Sequence, residues 1–284
     1  MAPMSCVYVI LRHKAESQQK SSCKKWQRGV IHVRKGAEIM PELKHSIAYL
    51  YFQQTKFNRE SINLLPRPDI RPAEPFKRYE KAEKVLLPRK WDGEETNFWE
   101  LLQKRRSERR YTGGPLSKLD LALLLWASQG VTAQAGPYYL RTAPSAGALY
   151  PIETYLAVEA VNEIDPGIFH FDVRGFQLER LSSNSPAADI ANCALGQGFL
   201  RKASVTFVWT SIFRRNMAKY GHRGLRYILL DAGHICQNLL LAAEALGLGS
   251  CPVAAFYDDE LNALLGLDGQ EESVLYMAGV GVKA

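Results

Sequence analysis

A chain of 284 residues with 46% apolar content is long enough to bury a sizeable core, which excludes disorder of the whole. Its longest apolar stretches, around residues 121–127 and 239–243, fall far short of the ~20 residues that cross a bilayer. The chain therefore reads as soluble, with no membrane partner. The formal charge of +7 concentrates in residues 14–35 and 104–110 with no basic helix interleaved with aromatics, so nucleic acid is not an expected partner either.

Residues 1–39 are rich in Lys, Gln, Ser and Arg with weak periodicity and read as a poorly ordered N-terminal extension. The apolar patch at residues 6–11 lacks the basic run and cleavage site of an export signal. Cys6, Cys23, Cys193, Cys236 and Cys251 form no CxxC pair, which fits a reducing, cytoplasmic setting better than a disulfide framework or a zinc site.

Residues 40–92 read as an N-terminal helix and an arm. Leu43, Ile47, Leu50 and Tyr51 recur near the helical period within residues 41–57, whereas residues 64–88 carry five prolines and should run extended along the surface. The main domain, residues 93–284, opens on a helix capped by Asn97. A second helix follows at residues 116–130, with Ser117 as its cap and Leu121, Leu124 and Leu125 on its buried face. A polar loop should then run to Tyr150.

Strands are expected at residues 153–158, 167–172 and 177–181, the last two forming a hairpin about Arg174-Gly175. Residues 186–199 look helical and 203–211 form a strand. Residues 225–246 make a long helix so uniformly apolar that it should be buried all round, in a core or a subunit interface. A short apolar segment (251–256), a helix (258–265) and a strand (274–282) complete the chain. No GxGxxG follows a strand, which disfavours a dinucleotide-binding Rossmann domain.

Three clusters carry chemistry. Arg105, Arg106, Arg109 and Arg110 surround Ser107 and Glu108 where a helix ends; they form either a basic surface loop or a bidentate grip on a phosphate. The run from Arg141 to Pro151 is lean and proline-bracketed; it either packs tightly on the core or lets backbone N–H groups approach a flat ligand. Lys219 and Tyr220 sit among basic and aromatic residues; they are ordinary loop residues or a proton-handling pair whose pKa values neighbours pull toward neutrality. Asp231 and His234, three apart on the long helix, lack a third ligand in step for a metal and are more economically satisfied by neighbouring loops. His222 lies near enough in sequence to Tyr220 to join such a pocket, and Cys251 reads as a small buried residue.

The ordered motifs RRSERRY (105–111) and RTAPSAGALYP (141–151) resemble the nitroreductase superfamily. More narrowly, FHFD (169–172), LGQ (195–197), AKYGHRGLRYILLDAGH (218–234) and ALGLGSCPVAAFYDDELNALLGLD (ending at Asp268) resemble its SagB/ThcOx-type dehydrogenases. The likeness covers roughly residues 41–284. It implies an α+β, nitroreductase-like fold: a central, mostly antiparallel sheet flanked by helices, with the long helix at a dimer interface. It also implies FMN as cofactor, held between two copies of the chain. Arg105, Arg106, Ser107 and Arg109 would meet the phosphate and ribityl chain. Ser145, Ala146, Gly147 and Ala148, from the other subunit, would meet the flavin ring, with Gln197 and Val253, Ala254 and Ala255 completing the pocket and Lys283 as a further phosphate contact.

By the same resemblance, Lys219 and Tyr220 assist deprotonation while a hydride passes to the flavin. The implied reaction is dehydrogenation of azoline rings in a ribosomal peptide, with cyclodehydratase proteins as partners. Two alternatives stand beside it: an NAD(P)H-dependent nitroreductase or quinone reductase, and a non-catalytic subunit that binds a peptide or partner protein.

Overall fold

The computed structural model describes residues 46–57, 69–90, 96–136 and 138–284. The expectations for residues 1–39, for the start of the first helix and for the start of the arm lie outside them. The chain divides into two compact units, Met1–Gln54 and Thr55–Ala284. In the first, helix α1 (Ile47–Gln54) opens where the Ser46 hydroxyl accepts the Tyr49 N–H.

In the second unit the arm does not stay loose. Its end becomes strand β1 (Glu83–Leu86), added to the sheet edge beside β6. Helix α2 (Phe98–Lys104) starts where Asn97 caps the Trp99 N–H, and α3 (Lys118–Gln129) starts at a full capping box between Ser117 and Asp120, a feature worth about 1 kcal/mol. The stretch expected as a loop to Tyr150 instead contains a hairpin, β2 (Val131–Ala135) with β3 (Tyr138–Arg141). Both strands are largely exposed, so the hairpin lacks the apolar alternation that marks a strand in sequence.

The sheet follows from the remaining strands: β4 (Ile152–Val158), β5 (Gly167–Asp172), β6 (Gln177–Ser182), β7 (Val205–Ile212), β8 (Gly249–Val253) and β9 (Glu272–Gly281). Their order is β1-β6-β5-β4-β7-β9-β8, every pairing antiparallel. Pro252, which has no N–H to give to a ladder, falls on β8, the last strand in the sheet order. Strand alternation splits the core in two. Leu156, Phe207 and Trp209 face the layer of α3 and α6 (Gly224–Ala245), while Tyr155, Val208 and Met277 face α4 (Ala187–Cys193) and α7 (Asp258–Leu265).

Helix α6 is not buried all round within this chain. Ile228, Ala232, Ile235, Cys236 and Leu239 enter the core, but Leu229 and Leu230 are 52% and 59% exposed, and Gly233, His234 and Gln237 extend the same open stripe. Beside it α2 buries no residue, leaving Phe98, Trp99 and Leu102 open. Among the described residues no helix is long and apolar enough to cross a membrane.

Candidate functional site

The basic segment after α2 is held as an extended strap along β8 and β9. Ser107 pairs with Ser250, the Glu108 N–H donates to the Ser250 carbonyl, and Tyr111 pairs with Lys283. The Tyr111 hydroxyl donates to the Gly279 carbonyl from a buried site, which anchors the strap. Glu108 turns its carboxylate back on the N–H groups of Arg110 and Arg109, and those bonds lower its pKa. Among the described residues Arg105, Arg106 and Arg109 form no ion pair; the Arg109 guanidinium lies 5.9 Å from the Phe199 ring centroid. Gln197, two residues earlier, donates to the Ala255 carbonyl at 3.2 Å, beside Val253 and Ala254 on the same segment. Lys283 also borders the strap, but its ammonium meets Glu244 at 3.2 Å. Arg105, Arg106, Ser107, Arg109, Gln197, Val253, Ala254, Ala255 and Lys283 thus form one group.

Ser145, Ala146, Gly147 and Ala148 form a second group, in a loop that meets α6 at Asp231. Their loop makes a tight left-handed path: Gly147, Ala148 and Tyr150 have φ of 66°, 54° and 46°. Two of these are not glycine, at a cost of roughly 1–2 kcal/mol each. Local bonds offset it. The Ser145 hydroxyl accepts the Tyr150 N–H at 2.9 Å and donates to Asp231 on α6 at 2.6 Å, and the Tyr150 hydroxyl accepts the Arg141 N–H at 3.1 Å. Burial pushes the Asp231 carboxyl up, against the pull of Ser145, the Ala146 N–H and His234. Asp231 is thus satisfied by a neighbouring loop.

Facing this loop are Lys219 and Tyr220, at the end of α5 (Phe213–Tyr220). A Cβ on Gly147 would stand 2.5 Å from the Tyr220 hydroxyl and 2.8 Å from the Lys219 ammonium, so only glycine leaves room for both there. Tyr220 packs edge-on against Tyr227 at 4.9 Å. Asp231, which Ser145 meets, and Glu244, which Lys283 meets, are about 20 Å apart along α6 at 1.5 Å per residue. A surface cavity of about 390 Å³, lined by Leu86–Pro88 and Ser117–Leu119, contains none of these residues.

Behind the Gly147 loop lies a buried charged column that the sequence patterns did not single out. His170, fully buried on β5, places Nδ1 2.8 Å from Glu179 and Nε2 3.0 Å from Glu153. Burial disfavours its charge, but the two carboxylates win and raise its pKa. Burial likewise opposes ionisation of both glutamates. Arg215 and His170 nevertheless hold Glu153 at about 2, and His170 and Lys84 hold Glu179 at about 2. The signal that could have exposed it is a Glu within the apolar run of β4 and a His within that of β5, side chains that no single-faced strand buries without a partner.

The fold is an α+β architecture built on a seven-stranded antiparallel sheet, and the Nitroreductase family pattern matches residues 102–282, well over half of the chain. The chain belongs to the nitroreductase family. It is 35% identical to a Methanocaldococcus jannaschii protein named for the nitroreductases, over 70% of this chain and 96% of that protein. It is 30% identical to the trifolitoxin-processing protein TfxB of Rhizobium leguminosarum bv. trifolii, over 49% of this chain and 39% of that one. It also shares its fold with a chain in the structure of the E. coli microcin synthetase McbBCD complex with truncated pro-MccB17 bound. That match has a TM-score of 0.55 at 21% identity and covers 86% of this chain and 94% of that one.

Proposed function

We propose that the protein is an FMN-dependent oxidoreductase that dehydrogenates azoline rings in a ribosomally made peptide, working as a homodimer. The observation that carries this reading is the close approach of Lys219 and Tyr220 to Gly147, where the hydroxyl and the amine converge on the space a side chain would otherwise take. The residues also fit the phosphate end of FMN, since Arg105, Arg106 and Arg109 carry no ion pair among the described residues and guanidinium forks suit a phosphate. FMN, when bound, supplies the hydride acceptor. Lys219, acting as the neutral amine beside the Tyr220 hydroxyl, takes the proton that leaves the ring as its hydride departs, so the ring loses two hydrogens; oxygen or another electron acceptor closes the cycle. A relative named for processing trifolitoxin supports a substrate that is itself a precursor.

Two copies would let the strap of one chain and the Gly147 loop of the other address one ligand. The exposed Leu229 and Leu230 on α6 and Phe98, Trp99 and Leu102 on α2 supply apolar surface for such a pairing. Leu230→Glu should convert the dimer to monomer in sedimentation velocity and abolish retention of the yellow cofactor. A parent chain that sediments as a monomer at micromolar concentration ends the shared-site reading.

The first test is colour. Purified protein mixed with FMN should retain flavin absorbance through gel filtration, and Arg105→Gln with Arg106→Gln should weaken binding about 10²–10⁴-fold, as loss of two charge-assisted bonds of about 1.5–3 kcal/mol each requires. Failure of the parent to retain FMN would return the chain to a peptide- or partner-binding role. The Methanocaldococcus relative's name favours a second reading, an NAD(P)H-dependent nitroreductase or quinone reductase. Brisk NAD(P)H oxidation with a quinone, indifferent to Lys219→Ala, would select it. Cyclodehydratase proteins are the expected partners under the first reading.

A further inference from the structure

We propose that Arg215 is the positioning residue that sets Lys219 and Tyr220 against the Gly147 loop; the role assigned to that pair rests on the reading above, but the positioning does not. Helix α5 is only eight residues long and has no side-chain cap at its start, too short to hold its orientation by its own hydrogen bonds. Arg215 lies in its first turn and is 3% exposed. Its Nε donates to the Glu74 carbonyl at 2.6 Å, and one terminal nitrogen donates both to the Tyr150 carbonyl at 3.1 Å and to the Glu153 carboxylate at 2.5 Å.

Lys219 stands one turn beyond Arg215 on the same helical face. Helix and loop are therefore joined at two matching levels: Arg215 to Tyr150 at one, Lys219 and Tyr220 to Gly147 at the other. A rotation or slide of α5 would break the first contact and misplace the second. Glu153 cannot follow such a movement. It spends one oxygen on Arg215 and the other on His170, whose second nitrogen is tied to Glu179, which in turn accepts from Lys84 and the Tyr79 N–H. The column thus extends from the arm, through three sheet strands, to the guanidinium. The planar fork of arginine makes these contacts at once, which the point charge of lysine cannot reproduce.

The test is Arg215→Lys in the full-length chain, labelled with 3-fluorotyrosine and read by 19F NMR with and without added FMN. Tyr220 and Tyr257 are assigned by Tyr220→Phe and Tyr257→Phe; the ring of Tyr227 at 4.9 Å makes the Tyr220 resonance sensitive to small movements. With a far-UV circular dichroism spectrum like the parent's, Arg215→Lys should shift or split the Tyr220 resonance and leave that of Tyr257, 52% exposed and on another element, in place. An unmoved Tyr220 resonance in folded Arg215→Lys overturns the proposal. So does loss of folding in that variant, since the residue would then support the core as a whole. A parent that takes up no FMN sinks the cofactor assignment alone, because the tyrosine readout does not depend on it.

Discussion

Lys219→Ala should lower the turnover of an azoline-bearing peptide by about 10²–10⁴-fold, the usual worth of a positioned general base or acid, with Tyr220→Phe losing a comparable factor. The loss should fall on kcat, because both groups face the Gly147 loop from the end of α5 and neither belongs to the Arg105–Arg109 strap. FMN affinity should therefore stay within a factor of a few of the parent's. The same geometry makes Gly147→Ala harmful twice over: its φ of 66° penalises a side chain, and its Cβ would push the Tyr220 hydroxyl and Lys219 ammonium aside. Mass spectrometry of the peptide, which loses two hydrogens per ring oxidised, reads the effect directly. Full turnover by Lys219→Ala would remove the pair from the chemistry.

The second large effect concerns stability. Removing one partner from the buried column, as in His170→Ala or Glu153→Ala, should cost about 3–5 kcal/mol, since the charge left behind has no solvent to turn to. The pH dependence has a definite sign. Glu153 and Glu179 titrate at about 2 in the folded chain and near 4.5 when unfolded, so they stabilise above the higher value and that contribution is lost as pH falls toward 2. His170 is shifted the other way. Its contribution is complete below the unfolded value near 6.5 and disappears as pH rises through its elevated folded pKa. Denaturant melts should show greatest stability between those limbs, and the alkaline loss should vanish in His170→Ala. An alkaline limb that survives that substitution would assign it to other groups.

The paired Arg89 and Phe176, at 5.7 Å, and the Arg174 and Tyr139 contact at 5.2 Å show how poorly surface detail of this chain could be anticipated. Arg174 was readable only as one half of a turn, and Tyr139 lay in a stretch expected to be loop. The second contact depends on the exposed β2–β3 hairpin, whose residues bury too little to leave a periodic trace.

Local chemistry spoke clearly wherever neighbours in sequence are neighbours in space. Asn97 and Ser117 cap the helices they precede, apolar, β-branched and aromatic runs mark β4 through β7, and Gly147 in the lean run at residues 145–148 takes a left-handed φ that glycine permits. The Lys219–Tyr220 pair was visible for the same reason. Which partners each buried charge meets was not, because Glu153, His170, Glu179 and Arg215 sit on separate elements and converge only when strands pair in register and α5 docks across them. The separation of the arginine strap from the Gly147 loop was equally a product of packing. Sequence order says nothing of distance along a shared helix, and the α6 residues that Ser145 and Lys283 meet, Asp231 and Glu244, lie about 20 Å apart along it.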